Sequence, residues 1–432
     1  MAVSEAHRAI DQVWRAEAAR VTAGLARVVR DVGVAEELAQ DALVAALEQW
    51  PREGVPRNPG AWLMAVGKRR AIDLIRRRER LERKVDELGH DLLAGGQDDD
   101  AALAALEGSL DGGIEDDMLR LVFTACHPVL STEARVALTL RMLGGLKTEE
   151  IARAFLVGEP TVAQRIVRAK RTLSDARVPF EVPAGAELAG RLSSVLEVIY
   201  LIFNEGYTAT AGDDWMRPAL CEEALRLGRV LAGLMPRERE VHGLVALMEI
   251  QASRSAARVG PSGEPVLLLE QDRGLWDRAA IGRGLAALER AEAIGAAPGP
   301  YTLQAAIAAC HARAAEAGGT DWVRIAALYE ALVRQVPSPV VELNRAVALA
   351  MAFGPEAGLR LVEELAGDPA LKGYHLLPSV RGDLLFRLGR TAEARREFQR
   401  AASLTRNDRE RTLLLARAAA CVPADPRPGT GP

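Results

Sequence analysis

The chain has 432 residues, of which 49% are apolar, 26% charged and only 4% aromatic, with a formal net charge of −4. That length and balance suit roughly two to four globular domains and exclude a disordered, collagenous or disulfide-framework protein. No apolar run reaches membrane-spanning length and the start, MAVSEAHRAID, lacks a signal-peptide core, so a cytoplasmic protein with no membrane partner is expected. Cys126, Cys221, Cys310 and Cys421 show neither CxxC nor metal spacing and read as reduced structural thiols.

The first clear element is EELAQDALVAALEQW at 36–50. Helical spacing puts Leu38, Ala42, Leu43, Ala46, Leu47 and Trp50 on its buried side, with Glu36, Glu37, Gln40 and Asp41 on or beside its exposed side. Pro51, Pro56 and Pro59 bound a loop. Asn58 caps the next helix, Pro59 takes a first-turn position, and Trp62, Val66, Ile72 and Ile75 supply a core face. Trp62 reads as a core ring rather than one that stacks on a base.

The same helix carries a basic stripe of Lys68, Arg69, Arg70, Arg76, Arg77, Arg78, Arg80, Arg83 and Lys84, nine positive charges against three negative ones. Pairing with Glu79 and Glu82 on a solvated helix accounts for part of it. The excess suits an anionic polymer. Residues 86–117 then hold eleven acidic residues and no Lys or Arg, with Gly95, Gly96, Gly112 and Gly113 among them, which reads as a solvated, flexible strap.

Residues 147–173, KTEEIARAFLVGEPTVAQRIVRAKRTL, read as two short helices joined by a tight turn. Ile151 and Phe155 lie four apart in the first, and Val157, Gly158 and Pro160 punctuate the turn; Leu156 stands where such turns usually have glycine. In the second helix Val162, Ile166, Ala169 and Leu173 share one side. Thr161, Gln164, Arg168 and Arg171 point the other way, with Arg165 beside them. This is helix-turn-helix geometry, in which the second helix enters the DNA major groove. An amphipathic hairpin with solvated charges fits the same spacing.

Taken in order, these segments resemble a bacterial RNA polymerase sigma factor of the extracytoplasmic-function type, within the sigma-70 family. EELAQDAL is similar to the region 2.2 motif that docks on the clamp helices of the polymerase core, which implies core-binding roles for Glu37, Gln40 and Asp41. AWLMAVGKRRAIDLIRRR is similar to regions 2.3 and 2.4, which melt and read the −10 element, and implies DNA contacts for Lys68, Arg69, Arg70, Arg76 and Arg77. Arg69 departs from the asparagine usual in that run. LSTEARVALTLRMLGGLKTEEIARAFLVGEPTVAQRIVRAKRTL resembles region 4, which reads the −35 element, and implies DNA contacts for Thr161, Gln164, Arg165, Arg168 and Arg171. The likeness covers about residues 5–178 and implies the RNA polymerase core enzyme and promoter DNA as partners. The family's equivalent of the acidic strap lies near polymerase channels that carry nucleic acid.

After the break VPFEVPAGAE at 178–187 the chain reads as helical again. RLSSVLEVIYLIFNEGY, RPALCEEALRLGRVLAGLMP and REVHGLVALMEIQASRSAARV form three helices, and IGRGLAALERAEAIG resumes after a turn-rich stretch, GPSGEPVLLLEQDRGLWDR, where a short strand or irregular loop is expected. From about residue 300 a repeat emerges. Gly382, Gly389, Ala394, Phe398 and Ala401 fit the second half of a tetratricopeptide unit, and Tyr329 lies 69 residues before Phe398, two periods of about 34. Stacked pairs of this kind make a concave surface for a protein or peptide partner. The resemblance narrows to sigma factors with a long helical extension that controls activity from within the chain. FNEGY at 203–207 and EQDRGLWD at 270–277 resemble signatures of that subgroup, and read from the residues alone as capping and packing chemistry.

No enzyme is expected. The six histidines include no HExxH, no GxSxG or GxGxxG follows a strand-like run, and GGLKT has Leu146 where a phosphate loop needs glycine. Catalytic residues, cofactors and metal ligands are therefore none. The expected fold is all-α: a sigma region 2-like domain at 1–85, an acidic flexible linker at 86–113, a region 4-like helix-turn-helix at 114–178, a helical domain at 185–298, tetratricopeptide-like repeats at 300–422 and a disordered tail at 423–432. A stand-alone helix-turn-helix regulator with a repeat sensor would have no use for EELAQDAL, and a repeat adaptor would show no DNA selectivity.

Overall fold

Leucine- and alanine-rich stretches with few β-branched runs favour helix throughout, and the computed structural model bears this out over residues 2–89, 114–155, 157–208, 216–261, 264–295, 297–405 and 407–421, which it describes. Among them there is no strand, only an isolated antiparallel bridge between Val259 and Pro265. Of the expected acidic linker at 86–113, residues 86–89 continue the helix that starts at Pro59, while 90–113 and the expected tail at 423–432 lie outside the described residues. The chain divides into two compact units, Met1–Leu201 and Ile202–Pro432.

In the first unit, α1 (Ala2–Val29), α2 (Val32–Glu53) and α3 (Pro59–Gly89) pack on one another. Asp31 caps α2 by accepting from the N–H groups of Gly33 and Val34, and Asn58 caps α3 by accepting from Ala61 at 3.1 Å. The helix α2 runs through Pro51 instead of stopping there. Proline in the last turn deletes a bond with little helix left beyond it, and Gly54, in left-handed conformation at φ 85°, closes the end with its N–H on Trp50 O.

Two expected faces are corrected. The buried seam of α2 is Val32, Ala35, Ala39, Ala42 and Ala46, so Leu47 is exposed and Glu36 is buried. The deepest line of α3 is Leu63, Gly67 and Ala71, while Trp62, Val66, Ile72 and Ile75 are only partly covered. Close approach of α1 and α3 explains the second case, since a Cβ on Gly67 would stand 2.8 Å from the Leu25 side chain. Trp62 meets Trp50 edge to face, ring centroids 5.3 Å apart.

The same unit contains α4 (Ile114–Ala125), α5 (Thr132–Met142), α6 (Thr148–Ala154) and α7 (Glu159–Asp175). Asp117, counted above with the acidic strap, lies buried on α4 against Arg27 and Arg120. The first half of α8 (Ala186–Tyr207) also belongs here. Its Arg191 donates to Phe123 O at the end of α4, its Ser194 donates to Cys126 O, and Arg135 of α5 reaches Ser194 Oγ and Glu197. These bonds satisfy carbonyls that a helix end leaves without partners.

In the second unit α9 (Pro218–Leu234), α11 (Arg278–Ala293) and α12 (Pro300–Arg313) pack around α10 (Arg239–Ala252), which is buried from Val241 to Ile250. Between α10 and α11 the described residues form no strand beyond the single bridge. Short 3-10 turns at Ser255–Ala257 and Arg273–Leu275 occupy that stretch; Asp272 accepts from Gly274 N–H within the second turn, and Asp277 caps α11 by accepting from Ala279 and Ala280. From α12 onward each helix packs on the next: α13 (Trp322–Gln335), α14 (Pro339–Phe353), α15 (Pro355–Leu365), α16 (Leu376–Arg387), α17 (Thr391–Leu404) and α18 (Asp408–Ala420). The Phe398 ring sits against Gly382, where a Cβ would be 2.9 Å away.

All four cysteines are buried free thiols. Burial pushes Cys126 up to about 11 and Cys221 to about 12. No described helix is long and apolar enough to cross a membrane, and the described residues hold no cluster of acidic, histidine or cysteine side chains able to bind a metal.

Candidate nucleic-acid interface

The helix α7 divides cleanly into two sides. Val162, Ile166, Ala169 and Leu173 are all buried, while Thr161, Gln164, Arg168 and Arg171 are exposed and Arg165 is half-buried. Gly158 precedes the helix in extended conformation and Pro160 lies in its first turn, where its missing N–H has no intrahelical partner to lose. Ile151 of α6 is buried and Phe155 partly so, which fixes the short helix against α7. Leu156 lies outside the described residues. Among the exposed groups Arg171 lies 3.4 Å from Asp175, an exposed pair one turn on, so its guanidinium can be drawn away by a phosphate at small cost.

On α3, Arg69, Arg76, Arg77, Arg78 and Arg80 are exposed and Lys68 and Arg70 half-buried. Spaced along one long helix, they present a positive strip suited to a backbone of phosphates. Arg70 is held 2.8 Å from Asp41, so one cation expected to meet DNA is paired with one carboxylate expected to meet the polymerase core. Glu37 and Asp41 are exposed, whereas Gln40 is half-buried and donates to Glu36 Oε1 at 2.6 Å.

Glu36 is the residue that sequence reasoning misplaced. It is 5% exposed, and its carboxylate is shared between Arg141 Nε of α5, at 2.7 Å, and the ammonium of Lys170 on α7. Burial raises the carboxyl's pKa, but Lys170 and Arg141 together outweigh it and hold Glu36 below the usual carboxylate range. Asp31 adds a second link between the two helical modules by accepting from Ser174 Oγ, and Lys147 a third, 3.5 Å from Asp11. The available signal was Lys170 itself: it flanks the buried row of α7 one turn beyond Ile166, a position where a cation needs a partner carboxylate.

Comparison with known proteins matches these two modules and part of the second unit. Sigma-70 region 2 matches residues 13–81, Sigma-70, region 4 matches 120–173, and a family of unknown function (DUF6596) matches 191–292. The chain is 46% identical over 391 residues to the uncharacterized protein R00370 of Rhizobium meliloti, covering 90% of each. It is 29% identical over 177 residues to the probable ECF RNA polymerase sigma factor SigI of Mycobacterium tuberculosis, 41% of this chain and 58% of that one. This chain thus belongs to the family that includes R00370 and, carrying both sigma-70 modules, is an RNA polymerase sigma factor of the sigma-70 family.

Proposed function

We propose that the chain is a sigma factor of the extracytoplasmic-function type that acts in the cytoplasm, is not itself an enzyme, and is controlled by its own C-terminal extension. The observation that carries this reading is the division of α7, whose apolar row is buried while Thr161, Gln164, Arg168 and Arg171 face outward. Those four, with Arg165, read the −35 element, and Lys68, Arg69, Arg70, Arg76 and Arg77 engage the −10 region. Glu37, Gln40 and Asp41 dock on the polymerase core. The domain limits follow the modules, with residues 86–113 as an acidic tether between them.

Control from within the chain is supported by α8, whose first half is bonded to α4 and α5 rather than trailing from them. The helices from α12 to α18 form tetratricopeptide-like repeats whose concave side takes a protein or peptide segment; the fit of Phe398 over Gly382 and the sequential packing of helix pairs support it.

Run-off transcription with purified core polymerase on genomic fragments tests the whole. Discrete transcripts that depend on the chain are expected. DNA binding in the absence of core, with no transcript in its presence, would instead mark a stand-alone regulator. Equal transcription by the full chain and by a fragment ending at Phe180 would remove the case for internal control.

A further inference from the structure

Two segments that promoter binding leaves unexplained, FNEGY and EQDRGLWD, meet in the second unit. Tyr207 from the first stacks on Phe203 and lies under Arg258, whose Cζ is 3.5 Å from the ring centroid. Trp276 from the second lies against Arg273, Cζ to centroid 4.7 Å. Arg254 stands between the two rings, 5.9 Å from each centroid. Guanidinium and aromatic ring therefore alternate: Arg258, Tyr207, Arg254, Trp276, Arg273.

Two of the three cations have structural work. Arg258 donates to Tyr207 O and Thr208 Oγ1, closing the end of α8. Arg273 donates to His311 O, Ala314 O and Thr320 Oγ1, closing the end of α12. The Arg254 guanidinium donates to none of the described residues, although rings flank it on both sides.

Arg258 and Arg273 are each 7% exposed, and no carboxylate among the described residues pairs with Arg254 or Arg273. The nearby Asp272 and Asp277 are turned to backbone N–H groups of Gly274, Ala279 and Ala280. Nε of Arg254, Nε of Arg273 and the indole Nε1 of Trp276, itself 3% exposed, are buried with no acceptor. Burial first, then Arg254 and Arg273, depress His311 to about 4. Guanidinium groups gathered at covered and half-covered positions, with no carboxylate among the described residues paired to Arg254 or Arg273, favour the entry of an anion, and a planar guanidinium flanked by rings can offer its N–H groups to an oxyanion.

We propose that Arg254 and Arg273, with the walls of Tyr207 and Trp276, bind an oxyanion, the phosphoryl or carboxylate group of a small metabolite. The domain of unknown function would then be the sensing part of the chain.

The full-length chain is titrated with inorganic phosphate, pyrophosphate and citrate at constant ionic strength, with chloride as baseline, following tryptophan fluorescence and heat of binding. Saturable binding of at least one is expected, with a melting temperature that rises with its concentration. Phosphate or pyrophosphate without citrate identifies a phosphoryl ligand, and the reverse a carboxylate. Arg254→Gln is expected to weaken binding roughly tenfold or more and Arg254→Lys less, because a point charge replaces the fork; Arg290→Gln, on the exposed side of α11, leaves it unchanged. In anion-free buffer Arg254→Gln melts no lower than the parent, since a repulsive charge has gone. The proposal is overturned if no anion binds saturably below roughly 10 mM, if Arg254→Gln binds as the parent does, if only an acidic peptide binds, or if Arg254→Gln and Arg254→Lys both melt lower without anion, which would make Arg254 a structural brace.

Discussion

Glu36 and Lys170, 134 positions apart, form an ion pair buried between the region 2 and region 4 modules, and Arg141 completes it from a third helix. Removing the carboxylate leaves two cations facing each other at a covered junction. Glu36→Gln is expected to destabilise the first unit by about 1–3 kcal/mol, less than a fully buried pair because both cations keep some solvent. Glu36→Gln with Lys170→Met should recover part of that loss, and thermal unfolding of the four species gives the coupling. Because Glu36 is held below its ordinary range in the fold, its contribution is present above the carboxylate range and fades as pH falls through it. Acid unfolding of the parent should therefore be steeper than that of Glu36→Gln.

Asp41→Arg is expected to weaken capture of the purified core enzyme with the fold intact, since Asp41 is exposed and its pair with Arg70 is worth under about 1 kcal/mol. The swap Asp41→Arg with Arg70→Asp rebuilds the local pair. If the swap restores core capture, the pair matters and the carboxylate itself does not contact the core.

Arg168 is exposed on α7 with no ion pair among the described residues. Arg168→Ala is expected to cost about 1–3 kcal/mol of −35 binding with relaxed sequence preference if it reads a base, and a smaller, sequence-independent amount if it touches phosphate. Competition binding against mutated −35 sites distinguishes the two.

Ending the chain at Phe180 removes Arg191 and Ser194 and leaves Phe123 O and Cys126 O without their donors. Such a fragment should be less stable than one ending at Tyr207 by about 1–3 kcal/mol, measured by denaturant unfolding. Equal stability would show that the first half of α8 only rests on α4 and α5.

His311 is held at about 4 against an ordinary 6.5, so the folded protein keeps it neutral where the unfolded chain would take up a proton. Stability of the second unit is expected to fall as pH drops from 6.5 towards 4, by up to about 3 kcal/mol. Replacing His311 with Asn should flatten that slope in pH-dependent unfolding.

The sequence carried some of this plainly. Val162, Ile166, Ala169 and Leu173 are large or regularly spaced enough that one periodicity fixes both the buried row and the outward one. On α2 and α3 the same reasoning weighted Leu47, Trp62 and Ile72 over Ala39, Gly67 and Ala71, although helices in close approach bury their smallest residues. Glu36 was read as solvated because its partners stand 105 and 134 positions away, beyond any local pattern. Nor can periodicity show that Tyr207 and Trp276 share Arg254, since the turns between them are held by side-chain caps rather than by a repeat.

The four buried thiols have a practical consequence. With Cys126 and Cys221 raised far above neutral pH and all four side chains covered, the native protein offers electrophiles little to react with. A single cysteine introduced at exposed Ala163 beside the DNA-facing row, or at Ala256 near the arginine cluster, would take a spectroscopic label selectively in the unmodified background. Oxidants likewise meet no exposed thiol, so a label placed at either position can be read without competing cysteine chemistry.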